Sequence, residues 1–122
     1  MSYKAHKWDY ILRHFEEAPP AIKPMSDLVS RIFASPYHDN LFPVQSMYTL
    51  LVFQTEDWQP GFEELRIDYL TKDRIFRFEF SEHPNRKTKW TKECPVTEGY
   101  SAFIHFLKLK NWFPAAEVER GA

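Results

Sequence analysis

The segment FEELRIDYLTKDRIFRFEFS, residues 62–81, decides the fold. In its first half Leu65, Ile67 and Tyr69 alternate with Glu64, Arg66 and Asp68; in its second half Phe76, Phe78 and Phe80 alternate with Arg77 and Glu79. A repeat of two puts successive side chains on opposite faces of a strand. Only TKD separates the two runs, which suits a tight antiparallel hairpin. The three phenylalanines then share a face with Leu65, Ile67 and Tyr69, and an aromatic stripe of this kind reads first as core.

Before this hairpin, MYTLLVFQ at residues 47–54 is apolar on both sides and predicts a strand covered on each face. After it, TKWTKE predicts a fourth strand at the sheet edge, where lysines discourage further pairing. The expectation is an antiparallel meander of three to four strands at about 47–54, 62–70, 74–81 and 88–93. Its second face is expected to combine Tyr48, Leu50 and Val52 with Glu64, Arg66, Asp68, Arg77 and Glu79. Such a half-apolar face calls for cover by a helix or loop, or by a second copy in a homodimer.

Helical periodicity flanks the strands. Trp8, Ile11, Leu12 and Phe15 form one stripe, ended by Ala18–Pro20; Leu28, Val29, Ile32 and Phe33 form another, with Ser26 or Asp27 as its N-cap. Tyr100, Phe103, Ile104 and Leu107 form a third stripe, after Thr97 and Glu98 at the capping position. The stretch SPYHDNLFPVQS has turn formers and no period, so it reads as a loop. The fold class is therefore α+β, one domain over residues 1–112, with two N-terminal helices and one C-terminal helix on one face of the sheet. Residues 113–122 read as a frayed tail.

Composition narrows the function classes. The 122 residues are 43% apolar and 17% aromatic, enough for one core. Formal net charge is −1, so no overall field favours nucleic acid or an anionic membrane. Charge is nonetheless uneven: residues 47–84 hold four basic and eight acidic groups, residues 85–112 six and two. No apolar run approaches the roughly 20 residues of a membrane span. A lone cysteine, Cys94, and an N-terminal stretch MSYKAHKWDY without an apolar run lead us to expect a cytoplasmic protein.

No constellation demands chemistry. None of His6, His14, His38, His83 and His105 has a partner at metal-ligand spacing, and Gly61, Gly99 and Gly121 form no phosphate-binding turn. No cofactor is expected. Cys94 lacks a flanking nucleophile signature. His38–Asp39 would be an acid–base dyad if the two side chains faced each other, but both residue types are ordinary in turns. Binding is thus expected rather than catalysis, and two surfaces stand out. Trp58 lies among Glu56, Asp57, Glu63 and Glu64, the makings of an anchor for a basic partner protein, as in an inhibitor or immunity-type protein. Arg86, Lys87, Lys89 and Lys92 interleave with Trp90, a pattern that also serves anions or single-stranded nucleic acid. The alternative is a small-molecule site or enzyme with an aromatic pocket between sheet and helices, reached by His38, His105 or Cys94.

Overall fold

The computed structural model describes residues 3–59, 62–82 and 87–112, with backbone alone at 87–89. Five strands form one antiparallel sheet: β2 (Phe42–Ser46), β3 (Thr49–Phe53), β5 (Glu64–Leu70), β6 (Ile75–Glu82) and β7 (Lys87–Pro95), in that spatial order. Two short strands, β1 (Tyr3–Lys4) and β4 (Asp57–Trp58), pair separately. The helices are α1 (Trp8–Glu16), α2 (Lys23–Phe33) and α3 (Gly99–Leu109).

The register confirms the alternation. Leu65 pairs with Phe80, Ile67 with Phe78 and Tyr69 with Phe76, so all six side chains face one way. Phe76, Phe78 and Phe80 are buried together with Ile11 and Phe15 of α1, Met25 and Ile32 of α2, and Phe103 and Phe106 of α3. Each such ring removed from water contributes roughly 1.5–3 kcal/mol. The opening stripe is therefore the floor of the helix-facing core.

Three features depart from the sequence reading. Leu50 pairs with Ile67 and Val52 with Leu65, so Leu50 and Val52 point into the core; Thr49, Leu51 and Phe53 occupy the opposite face. A strand apolar on both sides cannot reveal its own register, and a one-residue slip exchanges its faces. The segment SPYHDNLFPVQS, rather than being loop throughout, contains β2, whose five residues all pair with β3. Pro43 is accommodated because β2 is an edge strand, and its carbonyl accepts the His6 backbone N–H at 2.9 Å. The turn between β2 and β3 is Met47–Tyr48, residues expected to belong to the strand. Finally, α2 starts at Lys23 with Pro24 in its first turn, so Ser26 is not a cap; its hydroxyl donates back to the Lys23 carbonyl at 2.9 Å. Helix α3 likewise has no side-chain cap, and a single 3₁₀ turn at Val96–Glu98 leads into it.

The edge strand β7 was expected and is longer than expected, nine residues, with a bulge where Phe80 pairs with Trp90 but Ser81 with Thr88. The 113–122 tail lies outside the described residues. Among the described residues no helix is long and apolar enough to cross a membrane.

Candidate functional site

The sheet face away from the helices has two halves. Towards β5–β7 it is charged. Asp68 accepts from the Thr49 hydroxyl and from Arg66 Nε at 3.0 Å, and Arg77 Nε donates to Glu93 at 3.0 Å. The Glu93 contact holds the already high Arg77 pKa higher still. These groups satisfy one another across a solvated face.

Towards β3 the face is aromatic. Phe53, although fully buried, is not part of the helix-facing core. It is covered by Trp58, whose ring stacks on it at 4.7 Å and 18°, and Tyr3 lies over Trp58 at 5.0 Å. The small β1–β4 ribbon holds this pile in place: Tyr3 pairs with Trp58 and Lys4 with Asp57, and Ala5 N–H donates to the Glu56 carbonyl at 2.8 Å. The half-buried Trp58 thus tucks back over the sheet, its indole N–H shielded and without a partner among the described residues, while Tyr3 remains 48% exposed above it. Glu56, Asp57 and Glu63 are exposed around the pile, Phe62 is exposed beside Glu63, and Glu64 is buried. Of the five residues expected to anchor a partner, four remain at the surface and Glu64 is withdrawn from it.

Continuous with this rim through Glu56 is a cleft of about 290 Å³. Trp8, Phe33, Leu41, Phe42 and Pro43 supply its apolar walls; His6, Lys7, Asp9, His38, Asp39 and Glu56 supply its polar ones. Trp8 builds it: the indole N–H donates to the carbonyls of both His38 and Leu41 at 2.9 Å, fastening the His38–Asn40 turn to the start of α1. His38 and Asp39 do face each other, with Nε2 3.1 Å from Oδ1, and His38 Nδ1 lies 2.8 Å from the Ser35 carbonyl. The His38 ring is thus held within its own turn, one nitrogen towards the Ser35 carbonyl and the other towards Asp39. The contact orients the Asp39 carboxylate at the mouth of the cleft.

The other candidates fall elsewhere. Cys94 is buried opposite Phe76, where desolvation, and secondarily Glu98, push its thiol pKa up against the weaker opposing effect of Lys92. A thiol so placed is a poor nucleophile. His105 is exposed on α3. Tyr37 is buried and its pKa raised by desolvation, then by Tyr100. Among the described residues no group of three His, Cys, Asp or Glu side chains converges as a metal site. In the basic stretch, Arg86 lies outside the described residues and Lys87 and Lys89 are traced as backbone. Trp90 packs on Phe106 at 5.4 Å, and Lys92 pairs with Phe78 on the helix side. The Trp90 ring is thus engaged by the edge of the core.

Sequence reading missed His6, Lys7, Asp9 and Phe42 as members of one site. Nothing in their spacing joins them, because the cleft is assembled from three distant segments. No protein-family model, no curated protein and no solved structure matches this chain.

Proposed function

We propose that this protein is a non-enzymatic binding module that engages a basic partner protein, in the manner of an inhibitor or immunity-type protein. The observation that carries this reading is the Phe53–Trp58–Tyr3 pile with Glu56, Asp57 and Glu63 exposed around it. Stacked rings held by a paired ribbon lose little freedom on binding, and rigid aromatics are the usual anchors of interfaces. An acidic surround attracts a basic surface and accelerates its encounter. Against thiol chemistry stands the burial of Cys94, whose pKa is pushed up by desolvation.

Affinity capture tests the reading if wild type is compared with the triple variant Glu56→Gln, Asp57→Asn, Glu63→Gln. All three side chains are exposed, so the variant keeps its fold. A basic protein retained in stoichiometric amount by wild type, released by salt, and lost from the variant is the expected result. Retention unaffected by the three changes would overturn it.

A further inference from the structure

We infer that the cleft beside the acidic ribbon is a receptacle for one arginine side chain of the partner. The inference rests on the proposed binding function but names a second, separate contact. At about 290 Å³ the cleft lies at the small end of ligand pockets, which run from about 300 to 1,000 Å³. That suits a single long side chain rather than a cofactor. Its rim holds three exposed carboxylates, Asp9, Asp39 and Glu56, against one lysine, Lys7. Of the two histidines, His6 is stacked on Tyr10 at 4.4 Å and His38 faces the Ser35 carbonyl and Asp39. Lys7 is exposed, and its flexible stem lets the ammonium swing into water.

The walls favour guanidinium over ammonium. Half-buried Phe33 and Phe42 offer aromatic surface for a planar, weakly hydrated cation, and an aliphatic stem packs against Leu41 and Pro43. Asp39 is oriented through one oxygen by His38 while its side chain stays 80% exposed, so its other oxygen can accept a guanidinium N–H. Glu56 belongs to both the cleft and the rim of the aromatic pile. A partner seated on the pile would therefore have its arginine within reach of the cleft.

The test uses N-acetyl-arginine amide as probe, followed by amide chemical shifts of the whole protein. N-acetyl-citrulline amide, of the same shape but neutral, is the control. Saturable shifts at residues 6–9, 38–41 and 56, absent with citrulline and weakened about fivefold by Asp39→Asn, are expected. No saturable shift, equal binding of citrulline, no effect of Asp39→Asn, or shifts confined to the Arg66–Glu93 side of the sheet would each overturn the inference. If the probe fails while capture through the acidic pile persists, only the arginine site falls. If the probe binds but capture is indifferent to Glu56, Asp57 and Glu63, the functional reading falls and the cleft stands.

Discussion

Gly99→Ala is expected to destabilise the fold, although alanine is the better helix former. Gly99 begins α3 with an ordinary helical φ of −58°, so conformational freedom is not what the position requires. Space is. A Cβ there would lie 2.6 Å from Cε2 and 2.7 Å from Cδ2 of Phe76. That ring is 1% exposed and cannot retreat freely, since it contacts Tyr69 at 5.6 Å and Phe78 at 6.3 Å. Forcing a methyl into a packed core costs about 1–3 kcal/mol. Against this stands at most about 1 kcal/mol from helix propensity, less at a first helical residue. A net loss of about 1–2 kcal/mol follows, which at a urea dependence of about 1–3 kcal/mol per molar lowers the unfolding midpoint by roughly 0.3–2 M. The cycle with Phe76→Leu isolates the clash: once the ring is gone, Gly99→Ala should cost little or stabilise, giving a coupling of about 1 kcal/mol or more. A stabilising Gly99→Ala in wild type, or additive effects of the two changes, would contradict a clash with Phe76.

Other expectations follow from single sites. Met47 opens the β2–β3 turn at φ 55° and is 79% exposed, so Met47→Gly relieves left-handed strain without losing packing; the thermal midpoint should rise by a few degrees, and a fall would contradict this. Thr49→Val removes the hydroxyl that donates to half-buried Asp68 and should cost about 1 kcal/mol in urea unfolding, an unchanged midpoint arguing against that bond. Cys94 should resist Ellman's reagent at pH 7.5 until denaturant is added, whereas rapid native labelling would contradict its burial. Because the folded thiol titrates above the unfolded one, its contribution to stability is present below about pH 8.5 and declines as pH rises beyond it; stability rising through that range would have the wrong sign.

How much of this was legible in the sequence depends on the residues concerned. Strands β5 and β6 could be read because Arg66, Asp68, Arg77 and Glu79 mark the solvent face at every second position. TLLVF in β3 carries no such mark, so its register appears only when Leu50 meets Ile67. Strand β2 was hidden by Pro43 and by a turn at Met47–Tyr48 that lacks the glycine or asparagine usual in two-residue hairpins. Ser26 looked like a cap, but Pro24 allowed the helix to begin earlier. The acidic ribbon was half legible. Its charges and Trp58 stood out, while the stack on Phe53 and Tyr3 depends on a two-residue strand pair too short to leave a pattern. The cleft was not legible, because Trp8 looked only like a core residue of α1, and its two indole contacts to the His38–Leu41 turn span about thirty residues.

The most direct test of the central claim is amide hydrogen exchange of this protein, free and bound to the basic protein recovered by capture. Slowed exchange is expected at Tyr3–His6 and at Glu56–Trp58, where the ribbon carries the aromatic pile. Protection confined to α3 or to the β7 edge, with the ribbon unchanged, would contradict it.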